Sequence, residues 1–185
     1  MSDVPMSDLI ATVRSVLVGA PDRWRAIAAI APEVLARPPE PGEWSALQCL
    51  QHVVATEREV FPPRIRACLA GAAFGPFDPD ETAAAEPPAG SAGAPDAPAL
   101  AARLVGMRAE SLAVLDGLRA SDLGAVGIHP RFGEVTLEQL LNTWAAHDTM
   151  HIVQAERALM QAFIPASGPW RVFFTDHDVE LKPRG

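Results

Sequence analysis

The sequence predicts an all-α protein: a four-helix bundle with a long crossover between its second and third helices and a packed C-terminal tail. Three observations predict it. Apolar residues recur at helical spacing in four segments, and an Ala/Gly/Pro-rich stretch separates the first pair of segments from the second. Nothing alternates at period two for long enough to make a sheet.

The first segment runs from about Ser7, as N-cap, to Ala31, with Leu9, Ile10, Val13, Val16 and Leu17 at helical spacing. Gly19 and Pro21 should kink or divide it. Pro38, Pro39, Pro41 and Gly42 then build a rigid turn, and Ser45 caps a second helix reaching about Leu69. Pro62 and Pro63 interrupt that helix, because proline removes a backbone donor and clashes with the preceding turn. From Gly71 to Pro98 the composition shifts to Ala, Gly, Pro and acids, as in a long surface connection, mobile in part.

A third helix is expected over Ala99 to Leu118, carrying Leu100, Leu104, Met107, Leu112 and Leu115. Ser121 to Glu134 reads as a loop. Thr136 caps a fourth helix, with Glu138 and Gln139 near its start, that extends to about Phe163. The tail holds Trp170, Phe173 and Phe174, three aromatics that a solvated segment would not need, so it is expected to pack back on the bundle.

The chain's 185 residues suit one domain, 1–185, large enough for a core without staples. The net charge is −8 and no Lys/Arg cluster occurs, which argues against nucleic acid as a partner. No run of about eighteen apolar residues suggests a membrane span. The N-terminal stretch has no basic n-region and carries two Asp before its apolar residues, unlike a secretory signal. Cys49 and Cys68 fall in one helical region, so free thiols in a reducing cytoplasm are expected.

The chemistry is carried by histidines. His147 and His151 sit four apart, which puts both imidazoles on one helix face roughly 6 Å apart along the axis. That is the His-x3-His geometry that lets two imidazoles share a metal. Leu137, Leu140 and Trp144 precede them on nearly the same stripe, and Ala155 and Ala158 continue it. The pair therefore points inward, where an imidazole without a partner costs free energy. His52, flanked by Leu50, Val53 and Val54 on the second helix, is the third candidate. Three neutral nitrogen donors leave positions open for water or substrate.

A lone His on an apolar helix is more often a hydrogen-bonded core residue than a ligand; the inward pair brings the two readings level. Gln154 could reach a metal-bound water, or be plain packing polarity. Asp148 and Glu156 lie on other faces and read as solvated or outer-sphere groups. Cys49, one turn before His52, reads as a small core residue ahead of a fourth ligand. His129, before Pro130, and His177, between two Asp, fall outside the primary site, though either could line its mouth. Trp44 and Trp144 read as core or cavity-wall aromatics.

PPEPGEWSALQCLQHVVATE resembles the segment of the DinB-like superfamily that runs from a Pro/Gly turn through Trp-Ser into a helix with the first metal histidine. HPRFGEVTLEQLLNTWAAHDTMHIVQAERAL is similar to that superfamily's last bundle helix, with a Gln three residues after its His-x3-His. GPWR followed by FFTDHD resembles its closing motif. The resemblance implies an up-down-down-up bundle, commonly a homodimer, with nickel or zinc held by three histidines that map onto His52, His147 and His151.

It also implies a chemistry. Characterised relatives include transferases, and an isomerase, that use a low-molecular-weight thiol such as bacillithiol or mycothiol. A metal with an open position binds the thiol and lowers its pKa, so that it attacks an electrophilic small molecule. The leading expectation is thiol-dependent S-transfer of a detoxifying kind, with Gln154 orienting substrate or water. A metal-dependent hydrolase is the nearest alternative, weakened by the lack of a general base beside the histidines. A non-catalytic or stress-related bundle braced by its ion is the other.

Overall fold

Six α-helices and one β-hairpin make up residues 6–77 and 96–180, the part of the chain that the structure, a computed structural model, describes. The helices are α1 (Met6–Ala28), α2 (Pro32–Leu35), α3 (Ala46–Glu59), α4 (Phe61–Ala70), α5 (Ala97–Asp116) and α6 (Leu137–Met160). α1, α3 with its continuation α4, α5 and α6 are the four members of a bundle.

Side-chain pairs fix their directions. Arg14 near the start of α1 meets Asp116 at the end of α5, so these two are antiparallel. Arg23 and Glu156 pair near the C-terminal ends of α1 and α6, which run parallel. Ala46 and Ala97, each opening its helix, lie in one core cluster, so α3 and α5 run the same way. Phe61 stacks on Trp144 while His52 meets His147, so α3–α4 runs against α6. The order is up-down-down-up.

α1 starts at Met6 rather than at a Ser7 cap and stops at Ala28 rather than Ala31. It also continues through Pro21, where a kink or a division was expected, without being divided. Its buried stripe, Leu9, Val13, Leu17, Ala20, Trp24 and Ile27, keeps helical spacing across the proline, and each large member contributes about 1.5–3 kcal/mol by burial. Pro21 has no N–H, so the carbonyl of Leu17 loses its helical donor. Arg108 of α5 supplies one instead, Nη1 to Leu17 O at 3.0 Å.

The second segment divides at Val60, between α3 and α4. Pro62 and Pro63 then fall in the first turn of α4, where a missing N–H costs nothing. Gly71 ends α4 in the left-handed region, φ +61°. Of the expected surface connection, 78–95 lie outside the described residues, and α5 begins at Ala97, two residues before the expected Ala99.

The expected loop from Ser121 to Glu134 is corrected. A short 3-10 turn, Ala120–Asp122, leads into an antiparallel hairpin of β1 (Val126–His129) and β2 (Gly133–Thr136), with Val126 opposite Thr136 and His129 opposite Gly133. The segment after α4 joins it: Phe74 N donates to Ile128 O at 2.8 Å, and Ile128 N to Ala72 O at 3.0 Å. At Gly127 a Cβ would collide with the Phe74 ring, which is why a glycine fits mid-strand.

The two helices that bear the candidate ligands start in the same way. Ser45 and Thr136 each cap through the N–H of the residue three on, and Gln48 and Gln139 return the bond. α6 ends at Met160, short of Phe163, and the tail turns back in 3-10 segments, Ile164–Ala166 and Gly168–Phe174. It is attached, but two of the three expected aromatics stay outside: Trp170 is 65% and Phe173 77% exposed, while Phe174 is half-buried. Polar contacts hold it. Gln161 donates to His177 O at 3.0 Å, and Arg171 pairs with the buried Asp178.

One buried cation ties the bundle together. Arg108 donates from Nε to Glu57 on α3 (2.8 Å) and from Nη2 to Asp148 on α6 (2.7 Å), with its ring-side contact on Trp144. Burial alone would pull its pKa down, but the hydrogen bonds and charges of Asp148 and Glu57 outweigh it and raise it. Removing one partner of such a group costs about 3–5 kcal/mol, because a buried charge is left uncompensated.

Candidate metal centre

His52 comes from α3, and His147 and His151 from α6. The antiparallel packing of those helices brings their imidazoles to one point, with one ligand atom of each within 4.8 Å of the others. Ring centroids are 4.4 Å apart for His147–His151, 4.6 Å for His52–His151 and 5.1 Å for His52–His147. Among the described residues this is the group of three or more His, Cys or carboxylate donors spaced to hold an ion, and Cys49 is not in it.

The donors have the right protonation state. Burial, then the neighbouring His151, pushes His52 down to about 4. Burial, then His151, His52 and Arg108, pushes His147 down to about 3. Burial also lowers His151, against the opposing effects of Gln154 and Asp148. All three present lone pairs at neutral pH, as a borderline cation such as zinc or nickel requires.

Gln154 is placed otherwise than expected. Its Oε1 lies 2.9 Å from His151 Nδ1. With the amide oxygen accepting, Nδ1 carries the proton and Nε2 is left with its lone pair inward. The residue therefore orients a candidate ligand. His52 Nε2 and His147 Nε2 stand 3.0 Å apart. Metal–nitrogen bonds of about 2.0–2.1 Å put adjacent ligand atoms roughly 3 Å apart, so this pair already has ligand spacing.

Aromatic rings wall the site. Trp44 stacks on His151 (5.7 Å, 17°) and tilts against His52 (4.8 Å), Phe61 meets His147 edge-on, and Phe77 stands beside His52. Trp44 is thus a wall residue, whereas Trp144 is core. On the Trp44 side an open groove of about 620 Å³ reaches His151 and Gln154, with Glu43 and Arg157 paired on its rim at 3.2 Å.

The remaining candidates lie elsewhere. Asp148, read as solvated or outer-sphere, is 1% exposed and locked to Arg108. Glu156 keeps its surface position, paired with Arg23. His129 is a hairpin residue whose Nδ1 accepts from Arg131 N (3.0 Å) and Phe132 N (3.3 Å). His177 is exposed in the tail. Cys49 is fully buried, and burial pushes its thiol up to about 12. Phe61 and Phe77 were not singled out in the sequence; only the proline signal beside Phe61 hinted at a packed corner.

The fold and the site define a class: an up-down-down-up helical bundle that gathers three imidazoles from its second and fourth members. The chain belongs to the DinB superfamily, whose sequence profile matches residues 17–155, a stretch that contains all three histidines. No curated protein sequence matches it. Among solved structures it is similar to YfiT from Bacillus subtilis, described as a probable metal-dependent hydrolase with an unusual four-helix bundle topology. That likeness has a TM-score of 0.69 at 18% identity and covers 83% of this chain and 87% of that one; it is a likeness of fold.

Proposed function

We propose that the protein is a metal-dependent enzyme that holds one divalent ion, nickel or zinc, with His52, His147 and His151, and acts on small electrophiles with a low-molecular-weight thiol. The observation that carries the metal is the convergence of three unprotonated imidazoles at ligand spacing. The ion would supply a Lewis acid that makes a thiol nucleophilic at neutral pH.

The chain's own residues supply the rest. The three histidines fill one side of the ion, and among the described residues no fourth donor joins their group, as an open, catalytic position requires. Gln154 fixes His151, while Trp44, Phe61 and Phe77 exclude bulk water from the imidazoles. The groove beside Trp44 offers entry for a substrate, with Arg157 and Glu43 as polar contacts at its rim.

Hydrolysis is the second reading, and the description of YfiT favours it. Against it, the hydrogen-bond partners of the three imidazoles among the described residues are one another and Gln154, and the carboxylate of the groove, Glu43, is paired with Arg157. Asp148, the nearest in sequence, is held by Arg108. A homodimer, as the superfamily resemblance implies, and residence in a reducing cytoplasm, which suits the free thiols Cys49 and Cys68, complete the reading.

The test is an assay of the nickel- or zinc-loaded protein with several thiols and a model electrophile, alongside ester and amide substrates without thiol. Thiol-dependent turnover that disappears in His147→Ala supports the proposal. Turnover of esters or amides without thiol assigns a hydrolase. Neither activity with a tightly bound ion assigns a bundle braced by its metal.

A further inference from the structure

The metal donors come from α3 and α6 alone, yet the buried group that joins those two helices belongs to α5, which carries no donor. We infer that Arg108, clamped between Glu57 and Asp148, is a positioning residue of the metal centre that holds the two donor helices in register. The inference rests on the metal reading of the three histidines.

Its geometry is specific. Glu57 lies five residues beyond His52 on α3, and Asp148 directly follows His147 on α6. Arg108 meets Glu57 through Nε at 2.8 Å and Asp148 through Nη2 at 2.7 Å and Nη1 at 3.3 Å. All three side chains are at most 2% exposed. The guanidinium is a rigid planar fork, so it accepts two carboxylates only at a fixed offset. Sliding α3 against α6 by one residue, about 1.5 Å, would open at least one of these bonds. The same slide would pull His52 Nε2 away from its 3.0 Å approach to His147.

A fourth bond of the guanidinium extends the clamp to α1. Nη1 fills the acceptor that Pro21 leaves free at Leu17, so all four bundle members meet at one guanidinium. Apolar side chains of similar volume would hold the helices at least as firmly as three buried charges do. They would not fix the offset. Two carboxylates and one guanidinium also leave the cluster one negative charge in excess beside the imidazoles, which favours a bound cation.

The experiment separates register from stability. Replacing the whole cluster, Arg108→Met with Glu57→Met and Asp148→Leu, removes every buried charge, and Arg108→Lys keeps a charge without the fork. Thermal unfolding of the metal-free protein, zinc affinity by chelator competition and the visible spectrum of the cobalt(II) form are measured on the full chain. The expected result is a triple variant that unfolds no earlier than wild type but binds zinc 10- to 100-fold more weakly, with altered cobalt bands. Arg108→Lys should fall between the two. Wild-type affinity and spectrum in a folded triple variant would overturn the inference. Should the triple variant not fold, Glu57→Gln carries the test: a fall in zinc affinity of threefold or more supports the clamp, and an unchanged affinity overturns it. A wild-type protein that binds no zinc, nickel or cobalt would instead overturn the metal reading beneath it.

Discussion

His52 Nε2 and His147 Nε2, from antiparallel helices and 95 positions apart in sequence, stand 3.0 Å from one another. Two neutral imidazoles at that distance share either a proton or an ion. A shared proton joins only two of the three rings, whereas an ion uses all three at once.

Metal binding should depend little on pH near neutrality. Burial has already pushed His52 to about 4 and His147 to about 3, so few protons need leave when an ion arrives. Zinc affinity by chelator competition is expected to stay within about threefold from pH 8 to 6 and to fall steeply below about 5. A fall of tenfold or more between pH 7 and 6, as ordinary imidazoles near 6.5 would give, contradicts this.

The metal-free protein should lose stability in acid for the same reason. Both folded-state values lie below the unfolded histidine value of about 6.5. Below 6.5 the unfolded chain therefore binds protons that the folded one refuses. The contribution is complete above 6.5 and is lost as pH falls towards 4 and then 3. Tm is expected to drop by at least about 5 °C between pH 7 and 4.5, and the drop should shrink in His52→Phe. An equal drop in that variant would show that other groups control the slope.

Gln154→Leu should weaken zinc binding by about tenfold while moving Tm by no more than about 2 °C, since the amide is half-buried and bonds to His151. Unchanged zinc affinity would return Gln154 to plain packing polarity.

Ser45→Ala and Thr136→Ala each remove the cap that starts a donor helix. Urea unfolding should show a loss of about 1 kcal/mol in each, without a change in m-value. A loss below a few tenths would mean that neighbouring contacts, not the caps, set where α3 and α6 begin.

The sequence made His147 and His151 legible because helical periodicity alone puts positions four apart on one face. It could not do the same for Asp148. One residue turns a helix by about 100°, but α6 packs against α1 as well as α3 and buries more than one stripe. Arg108 was hidden for a related reason: arginine is rarely buried, and only the meeting of Glu57 and Asp148 from distant helices makes it so. The hairpin escaped because four-residue strands, one of them with Gly127 inside, carry too little alternation to separate from a loop. In the tail two of the three aromatics misled. Large apolar side chains often remain on the surface, and there the anchoring falls to Arg171, Asp178 and Gln161.

The most direct test of the metal centre is a titration of the metal-free full chain with zinc and with nickel, in wild type and in His52→Ala, His147→Ala and His151→Ala. One equivalent per chain with wild type, raising Tm, and a loss of at least about 100-fold in affinity in each variant, is the predicted result. Wild type that takes up neither ion, or variants that bind as tightly as wild type, would contradict the assignment of these three histidines as ligands.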